Sequence, residues 1–245
     1  MYLNKKGKVP KQAHVGIPEG LCEEEHGREG FTGPVSHLYR THPPTGWVKI
    51  DGPLKPRAFA CTQTAMTMTP QGAARSVLMM QSQDASLYLS THIETMDHFV
   101  RNADGDEVYF VHQGTGEFES DYGTLPYEPG DYVVIPKGTT YRTHVDASPS
   151  LFLVVETPEP ITVPDRGPLG QHALFDKGVL IAPELGMVES AEATNQDWEV
   201  RIKRQGSSTR VVYPFYPMDV VGWKGDLWVA KLNVRDFRPV TSPRY

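Results

Sequence analysis

Short apolar or alternating runs, separated by turns that contain Gly or Pro, recur through the middle of the chain. Residues 107–112 are rich in β-branched and aromatic side chains, and this run ends at Gly114. Runs of this length and composition are typical of β-strands. The pattern therefore predicts a set of short strands joined by tight turns. Further strands are predicted at 86–92, 116–119, 132–135, 140–146 and 151–155.

The order of these strands and turns resembles that of the cupins, a family of small antiparallel jelly-roll barrels. The cupin pattern places a Glu seven residues before a Gly, and Glu107 and Gly114 match it. Its second half runs Gly, five residues, Pro, one residue, Gly, and is matched by Gly130, Pro136 and Gly138. Because Gly and Pro are turn residues, this match predicts the fold and not the chemistry.

The metal ligands are the part of the cupin pattern that this sequence lacks. A loop at 101–106 stands where the family's paired histidines would precede the Glu. Tyr141 occupies the position of the later histidine, and His144 is offset from it by three residues. The resemblance therefore implies a first barrel, at residues 85–156, that has the shape of a metal site without its ligands.

The rest of the chain is divided around this barrel. Residues 1–84 are predicted to form an N-terminal arm and first strands that pack on the barrel. Within the arm, the charged stretch 23–31 is interpreted as a surface loop or short helix, a solvated arm able to pack against another subunit. Residues 157–196 are rich in proline at their start and predict a linker with a short helical piece. Alternation returns at Trp198, so residues 197–245 are predicted to start a second barrel.

The bulk composition is that of a globular protein. The chain of 245 residues is 39% hydrophobic and 22% charged, and its net charge of −6 argues against a nucleic-acid partner. No apolar run reaches the roughly 18 residues of a membrane span, and the basic N-terminus lacks the apolar core of a signal peptide. Cys22 and Cys61 have neither metal-binding nor redox spacing, so free thiols in a cytoplasmic protein are expected, with a disulfide between them as the alternative.

Histidines supply the remaining candidate metal ligands. His37 and His42 lie five residues apart in a Pro-rich segment, and surface or loop histidines are favoured over a ligand pair because no carboxylate stands at rigid spacing. Asp104 and Asp106 lack the further ligands of an EF-hand and are interpreted as part of a hairpin turn. A metal site on the barrel strands would need ligands at inward-facing alternate positions. The candidates for such a site are His92, His98, His112 and His144, with Glu94 or Glu107.

Several segments together resemble homogentisate 1,2-dioxygenase in its shorter bacterial form. The strongest, 216–225, is similar to the family's Pro-Phe-Asp-Val-Val-Gly-Trp-Asp-Gly stretch, with Met218 in place of Phe and Lys224 in place of Asp. Within it, Asp219 and Trp223 are interpreted as a turn residue and a packing residue rather than as lining of a cleft. Further similar segments, in family order, are 30–33, 103–107, 164–170 and 233–237.

This resemblance implies an all-β bicupin whose second barrel is incomplete in this chain, the amino-terminal part of a longer enzyme. The family uses non-haem Fe(II) and O₂ to open the ring of homogentisate, giving maleylacetoacetate in tyrosine and phenylalanine breakdown, and it assembles into trimers, sometimes paired as hexamers. Two histidines and a glutamate hold the iron, downstream of the 216–225 segment. No histidine follows Trp223. The resemblance therefore assigns no catalytic, cofactor-binding or metal residue to this chain.

Two other classes of function stay open on the sequence. One is a non-catalytic cupin that serves as a binding or scaffold module. The other is a stand-alone metal cupin, an isomerase of sugars or small acids, with ligands among His92, His98, Glu107 and His144. Stoichiometric metal on this chain alone would favour the second alternative.

Overall fold

The computed structural model describes residues 5–29, 32–53, 57–58, 60, 74–146, 149–163, 173–174, 177–186, 196–236 and 238–239. Strands dominate this part of the chain, which contains two single turns of 3-10 helix, Lys177–Val179 and Val234–Asp236, and no α-helix. It has no helix long and apolar enough to cross a membrane. The strands are β1 (Cys22–Glu29), β2 (Thr32–Arg40), β3 (Ala74–Gln81), β4 (Ser86–His92), β5 (Phe99–Asn102), β6 (Asp106–Gln113), β7 (Gly116–Ser120), β8 (Gly123–Tyr127), β9 (Asp131–Ile135), β10 (Thr140–Val145), β11 (Ser150–Thr157), β12 (Ala173–Leu174), β13 (Trp198–Arg204), β14 (Ser207–Tyr213), β15 (Ala230–Asn233) and β16 (Arg238–Pro239).

The chain folds as two compact units, which are described separately. The larger unit comprises Ala60–Pro164 and Asp176–Phe237, and it contains the barrel. The smaller unit comprises Met1–Phe59, Asp165–Phe175 and Arg238–Tyr245. The sequence-based boundaries between arm, barrel, linker and second barrel stay predictions.

Two six-stranded sheets form the larger unit. Their strand orders are β14-β13-β5-β10-β7-β8 and β15-β9-β6-β11-β4-β3. Neighbouring strands are antiparallel except β13 and β5, which run parallel. This architecture confirms the prediction of an all-β cupin jelly roll.

The core of the larger unit draws on both sheets. Along β7 and β9 every second residue is buried, which is the period of a strand with one face in a core. Phe118 of β7 lies with its ring centroid 5.2 Å from that of Tyr109 and 6.0 Å from that of Phe152, both in the other sheet. These rings are buried and hold the two sheets together by removing apolar area from water.

Strands β13 to β15 extend the two sheets of the first barrel. β13 pairs with β5 and β15 pairs with β9, and Val200 and Val229 are fully buried. Alternation predicts β13 and its hairpin partner β14 well, but periodicity alone does not specify which sheet a strand joins. These strands are hydrogen-bonded into the sheets of the first barrel. The start of a second barrel after residue 197 stays a prediction.

The glycines of the cupin pattern lie where an L side chain would be strained. Gly114, Gly130 and Gly138 have φ values of 92°, 96° and 86°, in the region that glycine adopts most readily. At Gly114 a Cβ atom would also lie 2.3 Å from Ser150 Oγ. The turns that these residues predict are therefore confirmed.

The predicted linker, 157–196, is described in part. Its described portion contains the 3-10 turn Lys177–Val179, and Ile181 and Glu184 form β-bridges to Lys231 and Thr124. These bridges tie the segment to β15 and β8.

The smaller unit contains a β-hairpin that the sequence analysis did not predict. β1 and β2 pair antiparallel, and Glu23 lies opposite Tyr39. The interpretation of 23–31 as a surface loop or short helix is wrong for those residues that the structure describes. Charge suggested a solvated loop, whereas the apolar and aromatic side chains of the partner strand favour a strand. Cys22 of β1 is a free thiol, and Cys61 lies outside the described residues.

Candidate functional site

Three polar side chains in the barrel interior form a hydrogen-bonded chain. β6 carries Glu107 and Tyr109 two residues apart, so both lie on one face of the strand, and β10 of the other sheet carries Tyr141. The Tyr141 hydroxyl donates to Glu107 Oε2 at 2.8 Å and lies 2.7 Å from the Tyr109 hydroxyl. These hydrogen bonds therefore link the two sheets inside the barrel.

Burial determines the ionisation of these three side chains. Burial raises the pKa of Glu107 to about 7, a shift that the Tyr141 hydrogen bond opposes and the nearby Glu156 carboxylate reinforces. Burial also raises the pKa of Tyr109 and of Tyr141 well above the ordinary value, so both phenols are neutral. Near neutral pH the three side chains are thus two neutral phenols and one carboxyl group that is partly protonated.

Two of these three side chains stand where the cupin pattern places metal ligands. Glu107 stands at the position of the ligating Glu, and Tyr141 stands at that of the later histidine. A neutral phenol bonded to a carboxyl group is a poor donor set for Fe(II), which is commonly held by imidazole and carboxylate ligands. Within the described part of the barrel, no three His, Cys, Asp or Glu ligand atoms converge. The residues present here therefore do not fit an iron ion.

His92, a predicted candidate ligand, is a core residue. Its ring nitrogens lie 2.9 Å from Ser90 Oγ and 2.6 Å from Thr143 Oγ1. Its ring packs edge-on against Phe152, with centroids 5.0 Å apart. Burial lowers the pKa of His92 to about 4. Both nitrogens are thus used by hydroxyl groups, and the ring is neutral at pH 7.

The other candidate histidines of the barrel have separate partners. His98 Nδ1 lies 2.6 Å from Asp97 Oδ1, and His144 Nε2 lies 2.7 Å from Glu119 Oε2. The predicted set does not converge on one point among the residues that the structure describes. The two other predicted candidates, His112 and Glu94, are exposed to solvent.

A charged network that the sequence analysis missed surrounds Glu119 on the outward face of β7 and β10. Its carboxylate accepts from Arg142 Nε at 2.8 Å, and the Tyr216 hydroxyl and His144 also bond to it. Burial opposes ionisation of this group, but the hydrogen bonds from His144, Tyr216 and Arg142 outweigh burial and lower the pKa of Glu119 to about 2. The Arg142 guanidinium also lies 4.6 Å from the ring centroid of Phe99. Alternating charges in both strands indicate an outward polar face, but only the strand register pairs them.

The segment 216–225 is fixed to the barrel at both ends. Tyr216 belongs to the Glu119 network. Trp223 packs edge-on against Tyr122 with centroids 5.6 Å apart, and it stacks on Trp228 at 6.2 Å. These contacts agree with the interpretation of Trp223 as a packing residue.

Asp104 and Asp106 are satisfied by backbone amides. Asp104 accepts two hydrogen bonds from the β13–β14 turn, at 2.5 and 3.0 Å. Asp106 accepts two more, from the backbone N–H groups of Lys137 and Ile161, at 2.7 and 2.8 Å. These carboxylates hold loops in place. The interpretation of a hairpin turn is wrong, because β5 and β6 on either side of this loop lie in different sheets.

His37 and His42 do not form a pair. His42 Nδ1 lies 3.1 Å from Thr41 Oγ1. His37 instead lies beside His14 and Glu23. The ligand atoms of these three residues all lie within 4.8 Å of one another. No other group of three His, Cys, Asp or Glu ligand atoms is this close among the described residues. Sequence spacing did not reveal it, because one member lies in a turn and the other two on paired strands.

Comparison with known proteins establishes the family. The profile described as homogentisate 1,2-dioxygenase N-terminal matches residues 52–233. The chain belongs to this family. A protein of Saccharolobus solfataricus named "Putative dioxygenase" is 29% identical to it over 260 residues, which cover 99% of this chain and 66% of that protein. The resemblance drawn from the sequence is thereby confirmed.

Relatives named homogentisate 1,2-dioxygenase match this family member over part of their length. The Rhodopseudomonas palustris BisA53 enzyme is 30% identical over 211 residues, covering 83% of this chain and 45% of that enzyme. The Bradyrhizobium diazoefficiens enzyme is 30% identical over 189 residues, covering 77% of this chain and 40% of that enzyme. The chain thus spans less than half the length of these two enzymes.

Among solved structures, a Klebsiella pneumoniae protein with a double-stranded β-helix domain is 16% identical. The likeness covers 42% of this chain and 91% of that protein, with a TM-score of 0.37.

Proposed function

We propose that this chain is the amino-terminal part of a non-haem Fe(II) ring-cleaving dioxygenase of the homogentisate 1,2-dioxygenase type. The family match over residues 52–233 carries the proposal. In the proposed reaction, a carbon–carbon bond of the homogentisate ring breaks and both atoms of O₂ enter the product, maleylacetoacetate. The proposed cofactor is Fe(II), the partners are homogentisate, O₂ and further copies of the protein in a trimer or hexamer, and the setting is cytoplasmic tyrosine and phenylalanine breakdown.

The barrel has a supporting role in this proposal. Fe(II) would be held by two histidines and a glutamate, and the barrel interior instead carries the hydrogen bond between Tyr141 and Glu107. We therefore assign the iron ligands and the catalytic base to residues after Tyr245. The encoded protein is expected to continue into a segment with a His, a Glu a few residues later and a second His further on.

The segment 216–225 is the proposed contact between this barrel and the region that follows. Its ends are fixed by Tyr216 and Trp223, as described above. Large apolar side chains in this segment and beside it are exposed, and an exposed apolar group of this kind is typical of a surface that another part of a protein covers. These side chains are Phe215, Val221 and Leu227, with exposed fractions of 53%, 86% and 60%.

Oxygen-isotope labelling tests the proposed function. The protein from the complete reading frame is loaded with Fe(II) under ascorbate and given homogentisate in ¹⁸O₂, and the product is analysed by mass spectrometry. Maleylacetoacetate with both labelled atoms is expected. 4-Hydroxyphenylacetate, which lacks the second ring hydroxyl, is the matched control substrate, and the 245-residue chain alone is the matched control protein.

Two results would contradict the proposal. One is an iron-loaded complete protein that consumes no O₂ with homogentisate. The other is full turnover by the 245-residue chain alone, because that result would place the catalytic residues inside this chain.

A further inference from the structure

The hairpin of the smaller unit gathers two imidazoles and one carboxylate. His14 Nδ1 lies 2.5 Å from Glu23 Oε1, and His37 Nδ1 lies 3.7 Å from the same oxygen. The two imidazole rings meet edge-on with centroids 4.9 Å apart. All three ligand atoms lie within 4.8 Å of one another. These residues precede the region of the family match, 52–233.

The strand register places two of the three side chains on one face. Glu23 of β1 lies directly opposite Tyr39 of β2. His37 precedes Tyr39 by two residues, so both side chains point to the same face of the hairpin. Glu23 and His37 are therefore diagonal neighbours across the two strands, a separation within reach of long side chains.

The third side chain comes from a tight turn. His14 lies between Gln12 and Val15, which form a β-bridge, and its φ is 65°. Positive φ is uncommon for a residue other than glycine. The backbone N–H of His14 donates to Glu23 Oε2 at 3.1 Å, which fixes the turn against the carboxylate. Held strain of this kind is concentrated at functional sites.

Hydrogen bonding within the cluster leaves one atom unsatisfied. His37 Nδ1 is buried and has no hydrogen-bond partner within the described residues. Its 3.7 Å distance to Glu23 Oε1 is too long for a hydrogen bond. Buried polar atoms are nearly always paired, so an orphaned ring nitrogen needs an explanation. A metal ion between the three side chains would satisfy it.

The hairpin also has little core of its own. No residue between 5 and 28 or between 34 and 53 is fully buried. A two-stranded hairpin without a packed core is marginal in water. Small elements of this kind are commonly stabilised by a bound metal ion.

We propose that His14, Glu23 and His37 bind one divalent transition-metal ion, Zn²⁺ being the best match. Two histidines and a glutamate are a known ligand set for zinc, with water at the remaining position. The His14 side chain is 58% exposed and the Glu23 side chain is 8% exposed, so a bound ion would be open to solvent beside His14. Tyr39 lies directly opposite Glu23 across the hairpin. The proposal does not rest on the proposed function.

Zinc titration of the 245-residue chain, freed of metal with a chelator, tests this site by calorimetry. One saturable Zn²⁺ per chain is expected. His14→Ala, Glu23→Gln and His37→Ala are each expected to weaken binding more than 100-fold, because each removes one ligand. His26→Ala is the matched control, since His26 lies on the opposite face of β1, and wild-type affinity is expected.

Circular dichroism separates loss of the site from loss of the fold. The three ligand variants are expected to keep the wild-type spectrum. In thermal melting of the 245-residue chain, Zn²⁺ is expected to raise the melting temperature of wild type and His26→Ala but not that of the three ligand variants. Two results would overturn the proposal: no saturable Zn²⁺ binding by the folded wild-type chain, or equal binding by wild-type and all three ligand variants.

Discussion

The hydroxyl of Tyr141 donates a hydrogen bond to Glu107 Oε2 at 2.8 Å, and this bond joins β10 of one sheet to β6 of the other. Both residues stand at positions where the cupin pattern has metal ligands. A direct hydrogen bond thus replaces the bridge that a metal ion would make. Loss of the Tyr141 hydroxyl would leave Glu107 and Tyr109 without this partner, and polar groups left unpaired inside a protein are destabilising.

Replacing Tyr141 with Phe is expected to lower the free energy of unfolding by about 2 kcal/mol, since Glu107 loses a partly buried hydrogen bond and Tyr109 a buried one. Urea unfolding followed by fluorescence measures the change. Tyr132→Phe is the control, because the Tyr132 ring packs on Phe110 and its hydroxyl has no hydrogen bond within the described residues. Equal stability of the wild type and Tyr141→Phe would show that the bond contributes nothing.

Glu107 is expected to make stability fall as pH rises. Its pKa is raised to about 7 from an ordinary 4.5, so between these values the folded state binds more protons than the unfolded state. Its contribution is complete below pH 4.5 and declines until about pH 7, by roughly 3 kcal/mol at most. Urea unfolding of wild type and Glu107→Gln at several pH values measures the difference. The variant should gain on the wild type across this window, and parallel curves would contradict the prediction.

His92 is expected to act in the opposite direction. Burial lowers its pKa to about 4 from 6.5, so the unfolded state binds more protons between these values. Stability is therefore lost as pH falls through the window, by roughly 3 kcal/mol at most. His92→Gln should flatten the acid limb of the curve, whereas the exposed control His112→Gln should leave it unchanged. Because the windows of His92 and Glu107 overlap, the single variants reveal slopes that partly cancel in the wild type.

Removing the charge of Glu119 is expected to loosen the segment 216–225. Glu119→Gln weakens the hydrogen bonds to Arg142, His144 and Tyr216. This is expected to lower the free energy of unfolding by about 2 kcal/mol, a value typical of hydrogen bonds to a charged group. Limited proteolysis is expected to cut the segment faster than in wild type. Glu117→Gln, two residues away on the same strand, is the matched control. An unchanged cleavage rate in Glu119→Gln would mean that the network does not hold the segment.

Sequence patterns predicted the barrel because its signals are local. Gly114, Gly130 and Gly138 each mark a turn through their own backbone preference, and alternation along β7 and β9 follows from a single strand. The substitution of Tyr141 for a histidine was also visible in the sequence. The hydrogen bond of Tyr141 to Glu107 was not, since it depends on how two strands of different sheets face each other.

The features that the sequence missed depend on strand register and chain reversal. Glu119 and Tyr216 are 97 residues apart in the chain, and no periodicity relates them. The cluster of His14, Glu23 and His37 requires a hairpin whose charged first strand resembles a solvated loop. β13 was found as a strand, but its parallel pairing with β5 is a property of the folded sheet.

The barrel in this chain is not expected to bind iron itself, and iron retention by the 245-residue chain tests this point directly. The chain carries Glu23→Gln and His37→Ala, so that the hairpin cluster does not contribute, and it is loaded anaerobically with Fe(II), passed through a desalting column and analysed by plasma mass spectrometry. We predict iron at the level of the buffer, with the same result after Glu107→Gln is added. Close to one iron per chain, lost when Glu107→Gln is added, would show that the barrel binds the metal itself.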